Sequence, residues 1–436
     1  MPKPGFAPKI AFAASVGSFI EWFDFFIATT AAVVVWPALF FPSSSPGVSL
    51  IFALTSVLAA KAAAPVGAAI FGHYGDRKGR RAGVTWSLVL TGLASLGVAL
   101  TPGYATLGIL SAVLIFVLRI LSGIGFGGDY GPSVTWVTEA SHASRWRGFW
   151  GSWVGSAIQL GTIASSLSFS VASSVLPQAA FLQWGWRVIF VLGSLAALVG
   201  IIVRLRSAES PLYEDLKAKG GVEMSPLVAT AKRNWKKILV LTIPWGAIYG
   251  VGNMVGQVGG QAYLKALHVP IPLITFSVAM AATFALFMGT GLAVLSDVFP
   301  RGRKWIIIIL MGAVALSSTF TFRLYQSGTP FGVVAGMISV FGLTSSTSQI
   351  FPAFLTDQFG TSIRTSGTGL VAEIGSLISG LFTSPIIPIL ISLNGGLIIA
   401  SVSGFVAVAI VSMIVGISLL LLFKENRPSD LNSPAG

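Results

Sequence analysis

Cysteine is absent from the chain, which excludes a disulfide framework and a thiolate metal site. Histidine is almost absent: His73, His142 and His268 are the three, each near the end of an apolar segment, so metal ligation or catalysis by imidazole is not expected. Charge is scarce as well, at 9% of 436 residues against about 25% in an ordinary soluble domain. Acidic side chains are the scarcest part of it, 14 Asp and Glu against 27 Lys and Arg. What fills the chain instead is apolar residues, 54% of the total, in runs of about 20. Such a chain cannot hide its apolar surface from water. A backbone in lipid must satisfy its own hydrogen bonds, which leaves helices or a closed barrel, and runs of this length are helical. The 50 glycines and 22 prolines suit membrane helices that pack closely.

Apolar runs between charged or Gly/Pro breaks predict spans near 11–37, 50–71, 82–101, 105–137, 149–175, 186–205, 236–262, 272–296, 305–325, 330–355, 366–392 and 397–423. The first run carries Glu21 and Asp24 and leads into further spans, so it reads as helix 1 and not as a signal peptide. The net charge of +13 does not point to nucleic acid, because Lys and Arg sit in short runs between spans. One set of loops holds Lys3, Lys9, Arg77, Lys78, Arg80, Arg81, Arg145, Arg147, the 204–237 segment, Arg301, Arg303, Lys304, Arg364, Lys424 and Arg427; the other holds Arg187, Lys265 and Arg323. By the positive-inside rule both termini are cytoplasmic, in a multi-pass protein of the plasma membrane. The polar interval divides the chain into a six-helix half over 1–205, a cytoplasmic linker over 206–235, a second half over 236–423 and a tail over 424–436. An internal repeat supports this division: GHYGDRKGRR at 72–81 follows span 2, and LSDVFPRGRK at 295–304 follows span 8.

Gly72-x-x-x-Asp76-Arg77-x-Gly79-Arg80-Arg81 resembles the major facilitator signature between helices 2 and 3, and Arg119-x-x-x-Gly123-x-Gly125-x-Gly127 resembles a second one in helix 4. More narrowly, SFIEWFDFF at 18–26, RILSGIGFGGDYG at 119–131, Glu139 ahead of RWRG, GWRVIFVLG at 185–193 and AESPLYEDL at 208–216 are similar to the metabolite:proton symporter family. FLTDQFGTSIRTSG at 354–367 extends the likeness loosely into the second half. The resemblance implies an all-α membrane protein of twelve helices in two six-helix halves, the major facilitator fold. It also implies a cytoplasmic gate built from Gly72, Asp76, Arg77, Gly79, Arg80 and Arg81. Three positions depart from the family pattern: Asp129 stands where Glu is usual, Ala64 where Arg is usual before the helix 2 proline, and Glu373 where an uncharged polar residue is usual.

Charges inside spans cost on the order of 2.5–3.5 kcal/mol each even on the mildest scale, so they face a cavity or a partner. Glu21, Asp24, Lys61, Arg119 and Glu373 qualify, with Asp129 nearer the cytoplasm. Gly17, Glu21 and Asp24 follow i, i+4, i+7 and share one face of helix 1. Arg119 lies about 14 residues, about 21 Å, into span 4. An arginine at that depth suits a carboxylate or phosphate, which its fork grips with two hydrogen bonds; it equally suits a permanent ion pair with Asp24, Glu21 or Asp129. Asp24, Glu21, Asp129 and Glu373 are candidate proton carriers, Asp24 first. Arg119, Lys61, Gln159, Tyr249, Asn253, Gln257 and Gln349 are candidate substrate contacts; the amides and the tyrosine equally serve helix packing.

These features predict a secondary active transporter, a proton-coupled symporter of a small polar metabolite such as an organic acid, working by alternating access. Its expected partners are that small molecule, protons and the bilayer, with no nucleic acid and no cofactor, and it is expected to act as a monomer. The alternative within transport is a sugar or osmolyte carrier of the same fold. A membrane receptor or enzyme is the alternative outside it, and no nucleophile–base pair, metal cluster or nucleotide loop supports an enzyme. The glycine run near Gly123 lies inside a span and not after a strand, so it is not a dinucleotide motif.

Overall fold

A computed structural model describes residues 6–43, 46–78, 80–141, 144–206, 226–299, 302–359, 364–394 and 398–424, and these residues form helices joined by turns. The N-terminal half holds α1 (Phe6–Val34), α2 (Pro46–Lys78), α3 (Arg80–Leu100), α4 (Ile109–Phe126, resumed as Tyr130–Ala140), α5 (Arg147–Val175) and α6 (Trp186–Arg206). The C-terminal half holds α7 (Pro226–Val251, a wide turn at Gly252–Gln257, then Gly259–Ala266), α8 (Ile271–Val298), α9 (Arg303–Gln326), α10 (Pro330–Gln349, then Phe351–Thr356), α11 (Arg364–Leu381, continuing to Ile387–Leu393) and α12 (Val402–Leu422). Among the described residues, ten regions are long and apolar enough to cross a membrane. The remaining two of the twelve are α3, whose apolar part is Thr85–Leu100, and α11, which is interrupted at Phe382–Ile386 and carries Glu373. The outer surface is apolar, with Phe287 73%, Phe331 81% and Leu422 84% exposed, a surface for lipid and not for water.

Two of the boundaries that differ from the sequence reading bear on the site and on the linker. Gly108 adopts a left-handed φ of 58° and separates the short helix Tyr104–Leu107 from α4. Arg119 is therefore ten residues from the start of α4, about 15 Å at 1.5 Å per residue, nearer the midplane than the continuous span implied. Helix α7 begins at Pro226, inside the expected linker, and breaks at Asn234 (φ −121°, ψ 18°). The rest of that linker, 207–225, lies outside the described residues.

Helices α2 and α4 approach backbone to backbone. A Cβ at Gly123 would strike the carbonyl of Ala60, one at Gly127 the carbonyl of Ala64, and one at Gly67 the carbonyl of Ile124. Gly125 turns the other way, against Thr91 and Ser87 of α3. The glycine run is thus a packing device: without a hydrophobic drive between helices in lipid, close van der Waals contact over small residues holds them together. It fixes the helix carrying Lys61 against the helix carrying Arg119.

The ends of the bundle are closed by polar contacts between the halves. At the end holding the α8–α9 turn, Asp297 accepts the backbone N–H groups of Gly148 (2.6 Å) and Phe149 (2.9 Å) at the start of α5, and Nη2 of Arg303 (2.9 Å). Asp357 takes Arg147 at 2.8 Å and also bonds Arg303. At the opposite end Lys265 Nζ donates to the carbonyls of Val33 (3.1 Å) and Val34 (2.9 Å), the last of α1, and Ser170 donates to the Pro272 carbonyl at 3.0 Å.

Candidate functional site

Between the two closed ends lies a cavity of about 30 Å³, room for a water or two and too small for a metabolite. In this arrangement the halves leave no room for a metabolite between them. Four charged residues predicted from the sequence line it: Asp24 from α1, Lys61 from α2, Arg119 from α4 and Glu373 from α11. Each stands far from its helix ends, as Glu373 does nine residues into α11.

Arg119 and Asp24 form an ion pair at 3.7 Å, with side chains 2% and 6% exposed. That separation is too long for a hydrogen bond. Asp24 Oδ2 instead accepts the hydroxyl of Ser122 at 3.1 Å, one turn beyond Arg119 on α4. The pair is held in register but is not saturated: Asp24 Oδ1 and Arg119 Nε and Nη1 have no hydrogen-bond partner among the described residues. Facing them across the cavity, Glu373 is the charge contributed by the C-terminal half, and its Oε2 is likewise without a partner. Lys61 lies within electrostatic range of Glu373, donates to Ser379 Oγ at 3.4 Å and sits 5.2 Å from the ring centre of Phe25, a cation–π distance. Ser379 also takes Asn253 Nδ2 at 3.1 Å, so one hydroxyl joins α2, α7 and α11.

Aromatic rings close the remaining wall. Trp22, Phe25 and Phe126 line the cavity and pack edge to face or tilted, with centroids 5.1–5.6 Å apart. These rings, with Ser122 and Ser376, were not singled out from the sequence. Trp22 and Phe25 flank Asp24 in EWFDFF, and aromatics beside an intramembrane carboxylate were the signal available.

The other predicted residues do not line this cavity. Asp129 is buried where it accepts Ser18 (3.2 Å) and Ser133 (3.0 Å), tying α1 to α4. Gln159 donates to the Ser345 carbonyl (3.3 Å) and Ser348 (2.9 Å), joining α5 to α10 across the halves. Gln349 donates to the Ala285 carbonyl at 3.2 Å. Tyr249 packs at a tilt against Trp245 and Phe351, with ring centroids 5.0 and 6.1 Å away. Glu21 and Gln257 are fully buried in α1 and in the wide turn of α7. The side chains of Asp76, Arg77, Arg80 and Arg81, the burial of Gly72, and all of Gly79 lie outside what the structure describes. The repeat of that motif is described, however. Asp297 caps the first amides of α5, where an anion is favoured by unpaired N–H groups and the helix dipole. Both turns carry an aspartate ahead of a Gly-Arg pair, though at different spacings: Asp76 ahead of Gly79-Arg80 and Asp297, two residues farther off, ahead of Gly302-Arg303.

Two helical halves enclosing a charged midplane cavity, with polar closures at both ends, define a membrane transport protein. The profile of the sugar (and other) transporter family matches residues 10–237, and the chain belongs to that family of the major facilitator superfamily. It is 31% identical over 97% of its length to the inner membrane metabolite transport protein YhjE of Escherichia coli (strain K12), covering 95% of that protein. It is 27% identical over 98% of its length to the proline/betaine transporter of Salmonella typhimurium, covering 86% of it. Among solved structures, the partially occluded inward open xylose transporter XylE from E. coli superposes with a TM-score of 0.70 at 17% identity, over 94% of this chain and 96% of that one. That likeness shows the fold.

Proposed function

We propose that this protein is a proton-coupled symporter of a small, carboxylate-bearing polar metabolite, working by rocking of the two halves about the central cavity. The observation that carries the reading is the unsaturated Arg119–Asp24 pair on the cavity wall. An arginine at mid-depth whose Nε and Nη1 carry no hydrogen bond suits a carboxylate, and an anionic ligand arriving there competes with Asp24 for it. An anion that takes Arg119 leaves the Asp24 carboxylate without its counter-charge, so the proposed coupling of substrate to proton passes through this pair. Glu373 is the second candidate carrier. The functions of the relatives, metabolite transport and proline/betaine transport, agree with a small polar cargo. Charge in the loops supports cytoplasmic termini, and the repeat supports Asp76 as the counterpart of Asp297 in the gate.

The test is uptake in proteoliposomes with the pH gradient set independently of the substrate gradient. Accumulation that follows an imposed inward proton gradient, and collapses in Asp24→Asn, is expected. Accumulation indifferent to that gradient overturns symport.

A further inference from the structure

We propose that Lys61 is a tether between the two halves, rooted in the N-terminal half and gripped by Ser379 and Glu373 of the C-terminal half, and that this grip sets how long the carrier stays closed. The inference goes beyond the reading of the cavity as the substrate site, and it holds whatever the cargo. Its basis is where the Lys61 side chain goes. Lys61 belongs to α2, yet its stem crosses onto α11. A Cβ at Gly380 would stand 3.2 Å from Lys61 Cδ and 2.7 Å from Leu58 Cδ1, so the missing side chain is what admits the lysine. The ammonium then donates to Ser379 Oγ at 3.4 Å and lies within electrostatic range of Glu373. Glu373 and Ser376, one turn apart on α11, line the cavity with Lys61. On its own half the ammonium meets the Phe25 ring, 5.2 Å away.

The other charged contacts divide differently. Asp24 and Arg119 both belong to the N-terminal half, so that pair rides with its half and rocking leaves it whole. Asp357 with Arg147, and Lys265 with the α1 carbonyls, join the halves at the two ends, where a tilt in either direction breaks one closure and keeps the other. A contact between the halves at mid-depth is stretched by both tilts. Lysine suits that place: its four-carbon stem and three donors let the ammonium follow a moving partner, where the flat arginine fork needs a fixed one. A hydrogen bond is lost within about an ångström of stretching. Attraction between charges fades more gradually, and it is strongest while the cavity is dry. Ser379 therefore fixes the ammonium at short range, and Glu373, when ionised, draws it back from farther off. A proton on Glu373 leaves the hydroxyl in place and removes that pull, so loading this carboxylate loosens the tether without cutting it. The other groups around the pair are Asp24 and Arg119, which face each other on the same cavity, and Tyr130, within electrostatic range of Glu373.

The test is the reactivity of Ala64→Cys, a position that lines the cavity, in the full-length protein reconstituted in nanodiscs at one fixed pH and without substrate. The chain has no other cysteine, so the rate of modification by a small methanethiosulfonate reads how often the cavity opens. Lys61→Met and Glu373→Gln are each expected to raise that rate at least fivefold, and Ser379→Ala at least twofold. The double variant Lys61→Met/Glu373→Gln should react no faster than the faster single, because the second change removes a partner already lost. A side chain that only packed would lower the melting temperature and leave the reactivity of the folded protein as it was. Unchanged rates in folded single variants, or two single effects that multiply in the double, overturn the inference. If the charge variants fail to fold, Ser379→Ala decides, since it strands no charge: an unchanged rate there overturns the inference. No cargo and no pH gradient enter these measurements, so a failure of symport in proteoliposomes leaves the tether standing, and the tether can fail while symport holds.

Discussion

Arg147, in the first turn of α5, and Asp357, just beyond the end of α10, meet at 2.8 Å across the two halves. Asp357 also holds Arg303, which reaches on to Asp297 at 2.9 Å. The buried carboxylate therefore serves one arginine from each half. Asp357→Asn removes the charge and keeps the shape. Loss of one partner from a buried charged network costs about 2–5 kcal/mol, so this end should open more often. The measurement is maleimide labelling of a cysteine introduced near Gln159, in a chain that has no other cysteine; labelling from that end should rise at least tenfold.

The opposite closure rests on Lys265, whose ammonium caps the last carbonyls of α1, where a cation is favoured by the helix dipole. Lys265→Met keeps most of the side-chain bulk and deletes the cap. The halves should then part at this end. Spin labels on residues 35 and 266 should show a longer mean distance than in the wild type, with uptake reduced several-fold.

Asp24→Asn tests coupling. Accumulation against a gradient should fall at least tenfold, while exchange of labelled for unlabelled substrate survives. Taking the counter-charge from a buried arginine costs about 3–5 kcal/mol, so Asp24→Glu is the control for folding. Accumulation that still tracks the pH gradient in Asp24→Asn would move the proton site to Glu373.

Gly127→Leu should be a packing defect. The Cβ alone meets the Ala64 backbone, and overpacking of this kind costs about 1–3 kcal/mol or more. A lower melting temperature and loss of folded yield are expected, whereas the same change at Gly291, which has open space around it, should be tolerated.

Membrane orientation is open to a direct check. Reporters inserted at 220 and fused after 436 should respond alike as cytoplasmic, and one placed at Gly328, in the turn between α9 and α10, should respond as external. A cytoplasmic reading at Gly328 would overturn the proposed topology.

The fold was legible because lipid leaves a chain few options: long apolar runs are helices, and twelve of them with a repeated basic turn make two halves. Asp24, Lys61, Arg119 and Glu373 were legible for the same reason, since a charge in hydrocarbon must face something. Gln159, Gln349 and Asp129 show the limit. Their chemistry is equally suited to a ligand and to a neighbouring helix, and only tertiary packing decides that they face Ser348, the Ala285 carbonyl and Ser18. The network of Arg147, Asp297, Arg303 and Asp357 was hidden differently. Its members lie in three separate loops, and only the repeat hinted that Asp297 copies Asp76. The wide turn in α7 shifts its face by a residue, which a fixed step of four along Tyr249, Asn253 and Gln257 does not foresee.

Three of the four cavity charges ride on one half: Asp24, Lys61 and Arg119 sum to one positive unit, and Glu373 alone answers from the other. Parting the halves thus pulls apart two opposite plates, and water entering the gap is what makes that separation tolerable. Because these charges sit near the middle of the membrane, the proposed rocking of the halves would carry them little along its normal. A full charge carried across is worth about 2.3 kcal/mol per 100 mV, and the protein's own residues collect only a small part of it. If the proposed symport holds, voltage should therefore act on the cargo and its proton and leave the return of the unloaded carrier nearly untouched.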